Sequence, residues 1–515
     1  MNTYLLDKPV LCVIDTRSVQ KFMFHTNSTE QNVGAGLILD VLPVDSVRHA
    51  VANLSPRLAP DEFVIFNPEG PADFPSCDDS KVKVMLVDCS ASNLTLFFRT
   101  GKLCRDVVRK MARYYLDNGY SLQFTPACTE WTGNARADIA AAFRRLGKNK
   151  GLFPGAHPLE PLSIVRMERH SGEPVAYIDR ATGEEYSRVS MLRRKGFAEL
   201  CGKSVEMPVR RFRRSDGRGF YGVAHIDGNG LGALIRELIN GPSAGSNPFY
   251  IRRAITRNIS RVTDCSFKAA IADVQKAFGL SDAQMEQEVK VLHNGGDDLN
   301  IAAGPEIVFP LVERYLAHLS DFPMWEDAQR KIFISACAGI ALVGEEVDYF
   351  RAFDYAEACC GRAKDAAKAE CNLVNGLSKS WLDFCLVHPD MANDSEADRD
   401  VTYAAMDGTG LMLRPYSVDP VFRDTPRSYE KFKQRVDALG KMGVSHETVA
   451  RLMHVFGMNV SETRLYCNGL KVNGRSVVDQ LGQPIVRDYG RNRVAWYDAL
   501  ELYDFMHQMD WRNVK

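Results

Sequence analysis

Residues 289–303 read VKVLHNGGDDLNIAA, two hydrophobic runs separated by Gly295, Gly296 and the adjacent carboxylates Asp297 and Asp298. Hydrophobic runs around a polar, glycine-containing tip predict a β-hairpin. Glycines at such a tip admit φ > 0 and let a phosphate approach the backbone closely. Successive strand residues point to opposite faces, so one turn offers two carboxylates with different aims. Magnesium takes hard oxygen ligands in near-octahedral geometry, usually one or two carboxylates with water and substrate phosphate. A further carboxylate stands upstream in HIDGNGLG, where Asp227 ends a β-rich run and is followed by Gly228, Gly230 and Gly232.

One strand-end aspartate beside an acidic hairpin tip is the layout of palm-type nucleotidyl transfer, in which paired metals about 3.5–4 Å apart clamp the attacking and leaving oxygens. GGDD by itself is also what a surface turn carries. The DGNGLG run upstream, in a matching β context, separates the two readings. Downstream, Ser335–Val343 reads as a buried strand and Ala352–Glu370 as an alanine-rich helix bearing Lys364. A lysine there suits triphosphate neutralisation, although a solvated helix face would carry one equally well.

The elements that must position these groups occur twice. An earlier segment runs from LCVIDTRSVQKFMF (Leu11–Phe24) to VKVMLVDCSASNLTLFF (Val82–Phe98), and a later one from YGVAHIDGNGLGALI (Tyr221–Ile235) to the GGDD hairpin. Each opens on a β-rich run ending in aspartate, Asp15 or Asp227, and each later presents a hairpin. With Ser92 opposite Asp297, the aspartate-to-tip spacings are 77 and 70 residues. This reads as two copies of one α/β domain. Between them, residues 116–205 mix helical stretches with a β-like section near PVAYIDRATGEEYSRV. GPSAGSNP (Gly241–Pro248) reads as an inserted loop, and MANDSEADRD (Met391–Asp400) as a solvated acidic linker. Beyond it, apolar residues recur at helical spacing.

Bulk properties exclude several classes. The 515 residues, 45% hydrophobic and 25% charged, describe an ordinary folded chain of about three to four domains. With 64 Lys+Arg against 65 Asp+Glu the net charge is −1, so any nucleic-acid contact must come from local patches. The longest apolar stretch, Ile332–Val343, has 12 residues, short of the ~20 a bilayer needs. Asp7 and Lys8 interrupt any signal-peptide core. Thirteen scattered cysteines with no C-x-x-C spacing fit reduced thiols in a cytoplasm and no ordinary zinc finger.

The chain resembles the large subunit of type III CRISPR effector complexes, the CRISPR polymerase that makes cyclic oligoadenylates. The resemblance lies in IDTRSVQKFMF followed by VGAGLIL (Val33–Leu39), in DGNGLG, in GGDD at Gly295–Asp298, in SACAGI and in Ala363–Lys364. It extends to LSKSWLDFCLVH (Leu377–His388), RPY (Arg414–Tyr416) and DALELYDF (Asp498–Phe505). It implies an α+β fold of two ferredoxin-like palm domains of the nucleotide-cyclase (GGDEF-like) kind, a small α/β insert and a helical C-terminal domain. The boundaries expected are 1–115, 116–205, 206–390 and 391–515.

The resemblance further implies ATP as substrate, Mg²⁺ (or Mn²⁺) held by Asp227, Asp297 and Asp298, nucleotide contacts at Gly228, Gly295, Gly296 and Lys364, and an intramolecular pseudo-dimer of palms. Guide RNA, target RNA and other CRISPR effector subunits are the implied partners. Three departures qualify it. No His-Asp pair precedes the first palm, so no HD nuclease activity is expected. The segment Arg166–Lys195, where the family carries zinc-binding cysteine pairs, has none, and no zinc is expected. The first palm keeps Asp15, but its tip CSASNL lacks both glycines and both carboxylates. Arginine clusters at Val209–Phe220 (Arg210, Arg211, Arg213, Arg214, Arg218) and at Arg253, Arg257 and Arg261 read as a phosphate or RNA track, or as a solvated surface. A diguanylate-cyclase-like activity on GTP and a non-catalytic RNA- and protein-binding scaffold are the alternative functions.

Overall fold

Continuous apolar runs bounded by turn signals mark strands covered on both faces. LCVI and ISACAGIALV are of that kind, and both become central strands. The computed structural model describes residues 5–24, 26, 28–65, 77, 79–90, 93–152, 164–169, 171–200, 208–211, 219–241, 248–327, 330–370, 379–387, 401–476 and 489–506. Strand β1 (Val10–Arg17) is followed by α1 (Thr29–Ala52), β2 (Val84–Ser90), β3 (Asn93–Phe98), α2 (Gly101–Asn118) and β4 (Gln123–Glu130). β1 pairs antiparallel with β3 and β4, giving the spatial order β2-β3-β1-β4, with Phe63–Ile65 as a further edge strand beside β2. A β-α-β-β-α-β chain in this order is the ferredoxin-like arrangement. The sheet closes only with β4, past the boundary expected at residue 115. That strand was hard to read because its residues are mostly half-buried and Pro126 interrupts them. Helix α3 (Ala135–Leu152) packs on β4 and β1.

Strands Val175–Ile178 and Glu185–Ser187 then pair and lead into α4 (Arg188–Leu200). After the short edge strand Arg210–Arg211, the second sheet is built from β5 (Gly219–Gly228), α5 (Leu231–Asn240), α6 (Pro248–Phe278), β6 (Val289–Gly295), β7 (Asp298–Ala303), α7 (Pro305–His318) and β8 (Ala336–Gly344). Its order β6-β7-β5-β8 repeats that of the first sheet. Helix α8 (Tyr349–Glu370) then leads to β9 (Trp381–Leu386), parallel to β8, and Tyr416–Ser417 adds an edge. Ala91 and Ser92 of the first hairpin tip, residues 242–247 of the GPSAGSNP loop and the stretch 391–400 lie outside the described residues.

The C-terminal part is helical, with α9 (Tyr429–Met442), α10 (His446–Met458), α11 (Val460–Gly469) and α12 (Tyr489–Met506). Among the described residues its core is continuous with that of the second sheet. Tyr429, Phe432, Leu500 and Phe505 share one buried cluster with Leu382 and Phe384 of β9 and Ile226 of β5. The RPY and DALELYDF runs meet there. Buried Arg414 bonds Asp498 (3.1 Å) and Glu501, while Tyr416 donates to Asp498 at 2.6 Å.

The two sheets are likewise joined by a shared core, in which Phe22, Phe24, Val33 and Ile38 pack with Tyr221, Val223, Tyr349 and Phe353. Helix α1 comes so close that a Cβ on Gly36 would lie 2.7 Å from the Leu292 carbonyl oxygen of β6. From the other side, α6 reaches the first sheet. Arg252 Nε donates to Asp88 (2.5 Å), Thr256 Oγ1 donates to the same carboxylate (3.0 Å), and Arg253 Nε donates to the Val87 carbonyl (2.8 Å). Arg253 is therefore only 6% exposed and is a tie between sheets, not part of an RNA track. Arg257 and Arg261 remain at the surface, whereas Arg213, Arg214 and Arg218 lie outside the described residues.

Gly36→Leu forces side-chain atoms into the β6 backbone, and overpacking of this kind costs about 1–3 kcal/mol. Chemical denaturation is expected to show that loss, with the unfolding of the two sheets becoming separable. Arg414→Met leaves Asp498 and Glu501 buried without their cation, and the expected loss in the same measurement is about 3–5 kcal/mol.

Candidate functional site

The β6–β7 hairpin pairs from Val289↔Ala303 to Gly295↔Asp298, with a bulge at Leu292 between Val291↔Ile301 and His293↔Asn300, leaving Gly296 and Asp297 as its two-residue loop. Gly296 has φ +74°, a conformation that a residue with a Cβ adopts only at a cost. β7 pairs with β5 through Leu299↔Ile226, which carries the turn to the end of β5, where Asp227 and Gly228 stand. A Cβ on Gly228 would lie 3.0 Å from Asp297 Cβ and 3.1 Å from its Oδ2, so this glycine lets the Asp297 side chain fold against the strand end. Gly295 is just as confined, since a Cβ there would meet the His293 ring at 2.3 Å.

The two adjacent carboxylates do face different surroundings. Asp297 lies toward Asp227 and Lys364. Burial pushes its pKa up, the Asp227 charge adds to the rise, and Lys364 opposes it. Asp298 lies toward two histidines. Burial again pushes the pKa up, and His225 and His293 oppose it. Asn300 Nδ2 donates to Asp298 Oδ1 at 3.2 Å, and His225 Nδ1 stands 2.7 Å from Asn300 Oδ1 and 3.4 Å from Asp298 Oδ1. On the α8 side, Lys364 Nζ forms an ion pair with Asp227 Oδ2. Burial opposes the lysine's charge, but the hydrogen bond and charge of Asp227 outweigh it and hold the ammonium above its ordinary value.

His225 and His293 were not picked out among the sequence candidates. The signal was present: in a strand, residues two apart share a face, so His225 accompanies Asp227 and His293 accompanies Gly295. Burial pushes the His293 pKa down, and its Nδ1 is buried without a hydrogen-bond partner among the described residues.

A cavity of about 540 Å³ opens in front of the turn, a volume within the usual range for small-molecule sites. The second sheet's side supplies Thr256, Ser260, His293, Gly295, Gly296, Asp297 and Asp298, and the first supplies Thr16, Leu39, Asp40, Pro43 and Tyr115. Asp227, Gly228 and Lys364 do not line this cavity. In the first sheet the counterpart of Asp227 is Asp15, which Lys150 of α3 pairs at 2.9 Å. Tyr115 closes that wall through a 3.0 Å hydrogen bond with Thr16 Oγ1.

The donor chemistry at the turn, all carboxylate oxygen, is that of hard divalent cations. A cation would also reverse the burial penalty on both turn carboxylates. The three aspartates do not converge on one point. Among the described residues, the only three metal-capable side chains with donor atoms all within 4.8 Å of one another are Cys12, Cys104 and Cys128.

In the insert, Glu168, Ser171, Ser187 and Ser190 stand at the spacing x₂…x₁₅…x₂ of a four-ligand zinc site. All four are buried. They bond one another instead: Ser190 Oγ to Glu168 Oε2 at 2.7 Å, Ser187 Oγ to Ser190 Oγ at 3.1 Å, Ser171 Oγ to Ser187 Oγ at 3.3 Å, and Ser171 to Glu168.

Among solved structures, the chain is similar to Csm1 in a Csm1–Csm4 cassette in complex with cA4, with TM-score 0.52 and 13% identity over 98% of this chain and 70% of that one. The cassette in complex with cA3 gives TM-score 0.50 and 11% identity over 98% and 70%. The apo cassette gives 0.50 and 13% over 99% and 71%. The fold is that of Csm1. Csm1 is a subunit of the type III-A Csm complex, so the resemblance seen in the motifs holds over nearly the whole chain at the level of fold. No protein-family model matches the sequence, and no curated protein does. Among the described residues no helix is long and apolar enough to cross a membrane.

A carboxyl whose folded pKa is raised contributes stability that is present in acid and lost as the pH rises through the folded value. Asp297→Asn keeps the shape and removes the charge. Without divalent cations the variant is expected to melt above the wild type at about pH 7, with the gap closing near about pH 3, where the wild-type carboxyl is protonated too. Adding magnesium or manganese is expected to raise the melting temperature of the wild type alone.

Proposed function

We propose that the chain is a nucleotidyltransferase that converts ATP into short 3′–5′ oligoadenylates, closing them into rings, within a type III CRISPR effector. The observation that carries this reading is the cavity between two sheets of one topology, with the GGDD turn in one wall. In this reading the sheets are the cores of two palms forming an intramolecular pseudo-dimer. The likeness in fold to Csm1 of the cassettes in complex with cA3 and cA4 supports it.

Asp227, Asp297 and Asp298 would hold the divalent cations, which at such a site lower the pKa of an attacking 3′-hydroxyl and neutralise charge on the α-phosphate and departing pyrophosphate. The chain's own groups do the positioning. Gly295 and Gly296 admit phosphate oxygens to the turn backbone. Lys364 exchanges Asp227 for a phosphate when the nucleotide enters. The opposite wall, Thr16 and Tyr115 with Leu39 and Pro43, receives the second nucleotide, and its lack of a GGDD-like tip leaves a single catalytic turn. The shared core around α1 excludes water from behind the pair. Guide RNA, target RNA and other effector subunits are the partners in this reading.

Incubation of the chain, alone and with co-purifying subunits and RNA, with ATP and magnesium is expected to give oligoadenylates identifiable by mass spectrometry. Asp297→Ala/Asp298→Ala is expected to lower the rate by at least roughly 10³-fold, the upper end of what loss of one electrostatic contact costs. Equal product from both proteins, or product from GTP and none from ATP, sinks the assignment.

A further inference from the structure

Cys12, Cys104 and Cys128 do not line the cavity described above. Cys12 of β1 and Cys128 of β4 are directly opposed across the sheet, and Cys104 of α2 comes down on the same face. Cys128 Sγ lies 3.3 Å from Cys12 Sγ and 3.7 Å from Cys104 Sγ. In a tetrahedral thiolate site with metal–sulfur bonds of ~2.3 Å, the sulfur–sulfur edge is about 3.8 Å. Three elements far apart in sequence thus deliver three thiols at nearly the spacing that a single soft cation imposes.

We propose that Cys12, Cys104 and Cys128 form a three-thiolate site for a thiophilic d¹⁰ cation of the zinc, cadmium and copper(I) class, separate from the carboxylate site. Soft sulfur ligands select this class over magnesium. Cys12 and Cys104 are fully buried and Cys128 only partly so, which puts the entry path and the fourth coordination position on the Cys128 side. Binding replaces three S–H bonds with three metal–sulfur bonds and releases three protons, so a divalent cation leaves a net charge of −1. Arg145 of α3 is placed to balance it, since its charge acts on Cys128. The site also has a mechanical consequence. β1 carries Thr16 and α2 carries Tyr115, the bonded pair in the cavity wall, so a cation at the three sulfurs pins the two elements that support that wall.

The competing account is that three cysteines pack here as small apolar side chains. Reduced, chelator-treated protein titrated with cadmium separates the two. The expected result is one equivalent bound, a thiolate-to-metal charge-transfer band and a higher melting temperature; protein loaded first with zinc shows no band until cadmium displaces it. Cys128→Ser, at the partly buried position, is expected to lose the band and bind at least roughly 100-fold more weakly, and Cys104→Ala repeats the loss from an independent element. Cys265→Ser, on α6, binds as the wild type does. No binding by the folded, reduced wild type, or an undiminished band in Cys128→Ser and Cys104→Ala, overturns the site and leaves the three cysteines as core packing.

Discussion

Helix α1 lies against strand β6 with no side chain between them at Gly36, whose missing Cβ would otherwise meet the Leu292 carbonyl at 2.7 Å. That approach fixes the depth at which the first sheet meets the second. Leu39, Asp40 and Pro43 follow on the same helix and become one wall of the cavity, while three residues beyond Leu292 the strand becomes the Gly295–Gly296 turn in the other. A backbone-to-backbone contact has little slack, because packed interiors shift rather than compress. The width of the cavity is therefore set by the absence of one side-chain carbon. The ties from α6 to Asp88 then hold the sheets from the far side, with Asp88 fully buried and its charge met by Arg252.

Charge is buried in this protein in two opposite styles. Around Arg414 every carboxylate has a donor, as a charge taken out of water requires if it is not to cost several kcal/mol. That cluster welds the C-terminal helices to the second sheet. At the GGDD turn the carboxylates are held up by burial and by one another, with Lys364 committed to Asp227. Carboxyls raised by burial and by a neighbouring charge are the common condition of groups that do chemistry. In the insert a buried carboxylate is met by hydroxyl groups. Glu168 and three serines occupy positions at zinc-ligand spacing and bond one another through Glu168 Oε2, while Glu168 Oε1 is buried without a hydrogen-bond partner among the described residues.

Much of the site could be read from residue order. The hairpin at 289–303, the aspartate at the end of β5, the buried strand β8 and the helix bearing Lys364 all follow from hydrophobic period and glycine placement, because these act over a few residues. The same logic recovered the internal repeat, since two runs of one pattern at spacings of 77 and 70 residues fold into sheets of one order. Where the pattern is weak the sequence is silent: β4, mostly half-buried and broken by Pro126, lies past residue 115 and carries no strand alternation that would join it to the first sheet.

What the sequence could not contain was partnership across distance. Arg253 looked like part of a basic helical face until its guanidinium was found beneath Val87, 166 residues away. RPY and DALELYDF were separate family-like strings until Arg414 and Asp498 met in one core. Cys12, Cys104 and Cys128 follow no motif spacing, because their convergence comes from a strand pairing and a helix packing rather than from a loop. Local period decided which groups stand at strand ends and turns. Only the tertiary structure decided which of them face a cavity, which are buried in ion pairs and which share a sulfur cluster, since those outcomes depend on surfaces that the chain brings together after the elements have formed.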